Sequence, residues 1–346
     1  MTNSPSNPTC PLCIHINLAP EGLHPGLMAI TPDNRFLVIP CQDSNNVIFL
    51  SIENLTITKV IPLGDGSCPW MAQITPDGAF ALITLARFST DGSAISTDNS
   101  SVAVIDLNNQ SLVREVQVGV GPNGIAIEDD GSRAFVANSR SNNISVIDLL
   151  TWQVTHTIQV GKGPFNVVID LLHDLLVVVN FEDASLSLVD LSSLQVTATI
   201  SVGNSSLSEP NPEWGLGDTT WFTVGPTGLG YVTNWRSNQI VIVDLENQVV
   251  LNQLESPLRH PFEIRYRGEG SHLSVAGDIE GRVTMFEPET GNVLEELDTR
   301  RSLPPTGPAT EYNSWLNDPN NNSMVLFAPQ GLNNLSAMIN IPMKHL

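Results

Sequence analysis

Tyr231-Val232-Thr233-Asn234, a short polar loop, then Ile240-Val241-Ile242-Val243-Asp244-Leu245: this stretch decides the fold. Both runs are rich in β-branched residues, the composition of strands rather than helices. The same grammar returns as Ala134-Phe135-Val136-Ala137-Asn138 before Ile144-Ser145-Val146-Ile147-Asp148-Leu149, and as Val177-Val178-Val179-Asn180 before Leu186-Ser187-Leu188-Val189-Asp190-Leu191. A chain of 346 residues would ordinarily suggest two or more domains, but an internal repeat overrides that prior.

Working outward, units open at Pro25, Pro69, Pro122, Pro164, near Trp214 and at Pro261, with a last one from about residue 308. Ile30-Thr31-Pro32-Asp33-Asn34 and Ile74-Thr75-Pro76-Asp77-Gly78 are near copies that place a tight turn between the first two strands of their units. Third strands end in step at Asp106, Asp148, Asp190, Asp244 and Glu287, intervals of 42, 42, 54 and 43 residues. That period is the length of a four-stranded propeller blade, with one long insertion. The last unit has three strands, and Cys13 to Leu18 is an alternating strand without a unit of its own. Placed as the outer strand of the last unit, it would close a ring and remove exposed edges. The expected fold is all-β, a single seven-bladed β-propeller over residues 13–346, preceded by a flexible segment, residues 1–12.

The repeats resemble the YVTN-repeat family of β-propellers, most closely in the middle of the chain. The resemblance implies a fold that serves both binding proteins and several unrelated enzymes, so function has to be argued from a site.

Composition narrows the partners. Apolar residues make up 41% and charged residues 15%, enough for a large core. With 36 acidic against 15 basic side chains the net charge is −21, which repels nucleic acid and anionic membranes. No apolar run reaches the roughly 18 residues of a membrane span, and the first residues lack the pattern of a leader. A cytoplasmic protein is expected, or an exported one if a leader has been removed. Of the four cysteines, Cys10 and Cys13 have the spacing of half a zinc site, but no second pair completes it. Cys41 and Cys68 fall near the same edge of neighbouring units. There is no Gly-x-Ser-x-Gly elbow, phosphate-binding glycine loop or haem attachment motif.

The longest insertions, Arg87 to Ser101, Asn204 to Gly217 and Thr299 to Ala309, map to one face, and long loops in compact domains are usually functional or disordered. On that face His24 and His260 each precede a unit-opening proline, and Glu311 and Tyr312 come from the unit between theirs. With Glu263 they form a candidate acid–base set, or a site for a divalent cation such as calcium or magnesium. This is similar to the way lyase and lactonase propellers assemble sites, and a cyclase belongs to the same class of reading. Trp70, Arg87, Asn138, Arg140, Asn180, Asn234, Trp235 and Arg236 ring the same funnel as candidate ligand contacts. Asn138, Asn180 and Asn234 read as oxygen ligands for calcium or as hydrogen bonds to a substrate, with a structural alternative, capping the turns that follow them. Trp152 is placed on the opposite face as a surface residue. Two readings follow: a binding module that takes a small molecule or a protein on the loop-rich face, and an enzyme with its site at the funnel mouth.

Overall fold

The computed structural model describes residues 13–18, 20–22, 25–86, 100–203, 218–267, 272–277, 282–288, 290–298, 314–317, 324–327 and 334–339. These contain strands and turns and no helix, so no described helix crosses a membrane. Six consecutive four-stranded antiparallel sheets follow one another, each with its strands in chain order. Blade one is β2 (Ala29–Ile30), β3 (Phe36–Cys41), β4 (Asn46–Ser51) and β5 (Ile57–Pro62). Blade two is β6 (Pro69–Ile74), β7 (Phe80–Leu85), β8 (Ser101–Asp106) and β9 (Ser111–Gln117). Blade three is β10 (Pro122–Ile127), β11 (Arg133–Asn138), β12 (Asn143–Asp148) and β13 (Gln153–Gln159). Blade four is β14 (Pro164–Asp170), β15 (Leu175–Asn180), β16 (Ser185–Asp190) and β17 (Gln195–Ser201). Blade five is β18 (Thr219–Val224), β19 (Leu229–Asn234), β20 (Gln239–Asp244) and β21 (Val249–Glu255). Blade six is β22 (Pro261–Arg267), β23 (His272–Gly277), β24 (Arg282–Phe286) and β25 (Val293–Asp298).

A further four-stranded sheet joins distant parts of the chain. β1 (Cys13–Asn17) lies against β28 (Asn334–Ile339), followed by β27 (Met324–Phe327) and β26 (Ser314–Asn317). The register runs from Cys13 opposite Met338 to Asn17 opposite Asn334. The expected start of the last unit, residues 309–313, and the flexible segment 1–12 lie outside the described residues.

Within each blade the second and third strands are covered on both sides. They therefore read as unbroken apolar runs such as Val177-Val178-Val179, every residue of which is buried. Fourth strands face water and read polar, as in β9 and β17. The interfaces between blades are apolar layers: Val38, Phe49, Ala72, Ile83 and Ile105 fill the gap between the first two blades, and Val179, Leu188, Phe222 and Val241 the gap between the fourth and fifth. The inner strands β6, β10, β14, β18 and β22 each touch the next, which is the radial stacking of a propeller.

The turns repeat in backbone detail. Third-to-fourth hairpins each carry a positive-φ residue, at Leu55, Gln110, Trp152, Leu194, Gln248 and Gly291. Trp152 corrects its sequence reading: it is half-buried, edge-on to Phe80 of blade two at 5.2 Å, with the Arg114 guanidinium 5.5 Å over its ring. It ties blade three to blade two.

Candidate functional site

The inner strands position the axial side chains through a repeated irregularity. In blades two to six the first-to-second ladder slips just after the opening residue, between Pro69 and Ala72, Pro122 and Ile125, Pro164 and Asn166, Thr219 and Trp221, and Pro261 and Glu263. A bulge re-aims the extra residue. In blades two, four and six those residues are Trp70, Phe165 and Phe262, and they meet. Phe165 lies 6.1 Å from Trp70 and 6.0 Å from Phe262, centroid to centroid, both edge to face. Blades two, four and six are not neighbours, so these rings touch across the axis. Phe181 and Trp221 complete the cluster at 5.9 Å from Phe165 and Phe262. Trp70, expected at the rim of an open funnel, is 7% exposed and belongs to this aromatic plug.

Beside the plug stands a buried charge. Glu263 is fully buried and accepts from Arg265 Nε at 2.9 Å, with Arg265 Nη2 at 2.8 Å. The two residues are two apart on β22 and so share a face of the strand. The guanidinium is partly exposed and sits 5.6 Å over the Trp221 ring. Trp221 Nε1 and Asn166 Oδ1 are buried without a hydrogen-bond partner among the described residues. Such atoms are places for ordered water or a small polar ligand group.

A second group forms at the corner of blades five and six. Buried Asp218 accepts from the backbone N–H of Arg236 (2.9 Å) and Ser237 (3.0 Å) and from the Ser237 hydroxyl (2.9 Å). Trp235 N donates to the Asp218 carbonyl at 2.6 Å, which fixes the indole with its ring 4.3 Å from that of His260. His260 has φ +52°, the conformation that Gly121 and Gly163 adopt before their own prolines. Asn238 Oδ1 accepts the His260 N–H at 2.7 Å, as Asn142 Oδ1 accepts that of Gly163 at 2.9 Å. The histidine thus occupies a repeat position that favours glycine.

The asparagines at the ends of second strands turn inward. Asn138 Nδ2 donates to Ser145 Oγ (2.9 Å) and Asn143 Oδ1 (2.8 Å), and Asn180 Nδ2 to Ser187 Oγ (2.9 Å) and Ser185 Oγ (3.0 Å). Asn234 donates to the Val202 carbonyl at 2.6 Å and accepts from Thr219 at 2.9 Å. All three are fully buried and link strands or blades. Arg140 approaches Glu182 at 4.0 Å with both side chains well exposed, a surface pair between blades three and four. His24, Arg87, Glu311 and Tyr312 lie outside the described residues. Cys41 and Cys68 are free thiols, and burial pushes each up to about 12, so neither is a thiolate near neutral pH. Among the described residues no three His, Cys, Asp or Glu side chains stand together as metal ligands. A cleft of about 370 Å³ opens on the other face instead, lined by Asp33, Arg35, Phe36, Asp77 and Leu107 among others.

No protein-family model matches the chain, and no curated protein matches its sequence. Among solved structures it is similar to hydrazine synthase of Kuenenia stuttgartiensis, with a TM-score of 0.73 over 98% of this chain and 99% of that one. The fold is propeller-like. At 18% identity the likeness speaks to fold alone. The sequence reading missed Phe165, Phe262, Trp221 and Arg265; the signal for the first two was the large aromatic directly after the opening proline, shared with Trp70.

Proposed function

We propose that this chain is a seven-bladed propeller of the YVTN-repeat kind acting as a binding module, with the β1-containing sheet as the blade between blades six and one. Its partner, a protein or a small molecule, is taken on the face where residues 87–99, 204–217 and 299–313 connect. The observation that supports this reading is the aromatic plug of Trp70, Phe165 and Phe262. With the axis closed at that level, recognition falls to the rim, for which Arg140, Glu182 and Arg236 are the candidates; Trp235, at 8% exposure, packs in the core instead. The acidity of the chain argues against nucleic acid as the partner.

The test uses photo-crosslinking residues at Arg140 and Arg236 in the full chain. The captured partner is then titrated against wild type and against protein with residues 87–99 and 204–217 replaced by short linkers. Binding that is unchanged by the replacement overturns the reading.

A second reading has one observation in its favour: a histidine kept in a glycine-type conformation three residues before a buried carboxylate, Glu263. An acid–base enzyme of lyase, lactonase or cyclase type would use His260 and Glu263 with His24, Glu311 and Tyr312. A calcium or magnesium ion there would have to draw on the Glu311 carboxylate and other oxygen donors, because Arg265 already neutralises Glu263. Turnover abolished by Glu263→Gln and retained after loop replacement would favour this enzyme.

A further inference from the structure

The repeat supplies its own control, since a position that is polar in most blades and apolar in one marks a local departure. On the face opposite the long insertions, the first-to-second turns read Thr31-Pro32-Asp33-Asn34, Thr75-Pro76-Asp77-Gly78, Glu128-Asp129-Asp130-Gly131 and Gly225-Pro226-Thr227-Gly228. Blade four alone among these five has Asp170-Leu171-Leu172-His173-Asp174. The third-to-fourth turns read Asp106-Leu107-Asn108, Asp190-Leu191-Ser192 and Asp244-Leu245-Glu246, whereas blade three has Asp148-Leu149-Leu150. The three substituted leucines are all in water: Leu150 is 89% exposed, Leu171 66% and Leu172 63%. Both departures fall on one face of two adjacent blades, and the contact between those blades there, Arg133 donating to the Leu191 carbonyl, is made by the other turn of each.

These tips are held. Asp170, buried, accepts the Leu172 N–H at 3.1 Å on one oxygen and meets His173 Nδ1 at 2.5 Å on the other. Asp148 accepts both the N–H and the hydroxyl of Thr151 at 2.7 Å. Exposed leucines on fixed turns cost little ordering entropy when a partner covers them. The surroundings are anionic: Asp129, Asp130 and Asp174 are exposed, and Asp148, Asp190 and Asp244 border the same turns. Of the basic side chains there, Arg133 is committed to Glu128, Arg114 lies over the Trp152 ring, and the His173 ring is held by Asp170. Hydrogen bonds from turn residues hold the Asp148 and Asp244 carboxyls below their ordinary range, and that of Asp190 near about 2, so they are ionised at neutral pH.

We propose that this face of blades three and four docks a second partner, a protein segment that presents apolar side chains to Leu150, Leu171 and Leu172 and lysine or arginine to the carboxylates around them. A second copy of this chain does not fit, because pairing the face with itself sets carboxylate against carboxylate. An anionic lipid surface is repelled for the same reason.

The probe is a synthetic amphipathic Lys/Leu peptide, with a Lys/Ser peptide of equal charge and a Glu/Leu peptide as controls. Titration by fluorescence polarisation is combined with a hydrogen-exchange footprint on the full chain. The proposal expects the Lys/Leu peptide to bind best, to weaken as salt rises, and to protect residues 148–152 and 170–174. The variant Leu150→Ser, Leu171→Asp, Leu172→Asn should lose at least tenfold in affinity with unchanged thermal stability. Leu112→Ser with Val113→Thr, which removes exposed apolar side chains from β9 instead, should bind like wild type. Equal binding of the Lys/Ser or Glu/Leu peptide, or a footprint elsewhere on wild type, overturns the proposal. So does concentration-dependent dimerisation that the leucine variant abolishes.

Discussion

His260 occupies a backbone conformation that Gly121 and Gly163 fill in other blades. A non-glycine residue there costs on the order of 1 kcal/mol, and the edge contact with Trp235 returns about 0.5–1.5 kcal/mol. The His260→Gly variant is therefore expected to keep its stability to within about 1 kcal/mol, whereas β-branched His260→Val should lose more. Urea midpoints for the two variants check this. A large loss in the glycine variant would mean that the imidazole itself holds the corner together. A different single-residue effect governs acid stability. The Asp148, Asp190 and Asp244 carboxyls are depressed first of all by side-chain hydrogen bonds from Thr151, from Ser192 and Ser193, and from Asn247. A depressed carboxylate stabilises the fold above its unfolded value, here 3.8, and that contribution is lost as pH falls toward the folded value, about 2 for Asp190. Asparagine cannot titrate but still accepts through Oδ1. The triple Asp→Asn variant should thus show a flatter fall in melting temperature between about pH 4 and pH 2.

At the scale of the element, the bulged inner strand does the unexpected work. Phe165 touches Trp70, Phe181 and Phe262, and its removal leaves a hole on the axis. Phe165→Ala is expected to cost about 3–5 kcal/mol and to move the tryptophan emission, which denaturant titration followed by fluorescence would show. The sequence made much of this level legible. The opening prolines, the Thr-Pro-Asp turns and the terminal asparagines of Asn138, Asn180 and Asn234 set strand count and order, because each depends on local backbone preference. The bulges were not legible, because a slip between Pro164 and Asn166 depends on which ladder bond forms with β15. Without the slip, Trp70 reads as a rim residue; with it, the indole turns into the core. Glu263 and Arg265 show the same limit. Their spacing puts them on one face, but nothing local says that the carboxylate is buried and the guanidinium spans the Trp221 ring. His24 and Glu311 stand in stretches whose repeat signal is weakest.

For the whole molecule two features dominate. One is the charge of −21, which repels itself across the surface. Raising ionic strength from about 0.01 to 0.15 M shortens the screening length from about 30 to about 8 Å, and a rise in melting temperature over that range is the expected result. A flat profile would mean that the carboxylates are neutralised locally. The other is the sheet that pairs β1 with β28. Deleting residues 1–18 leaves β28 with an open edge, and unpaired edges template association. Sedimentation of the truncated chain should show oligomers or aggregate where the full chain is monodisperse.

That same pairing sets a timetable on the ribosome. β1 is the earliest of the described strands to be translated, and its partner is the latest. At about 5–20 residues per second, β1 waits on the order of half a minute for the strand it pairs with, while six blades assemble beside it. A circular permutant that joins the two ends and begins at Ser139, in the polar loop after β11, would translate β28 and β1 in succession. It should reach the native state with less loss to aggregation during expression, although the finished proteins would have nearly the same contacts.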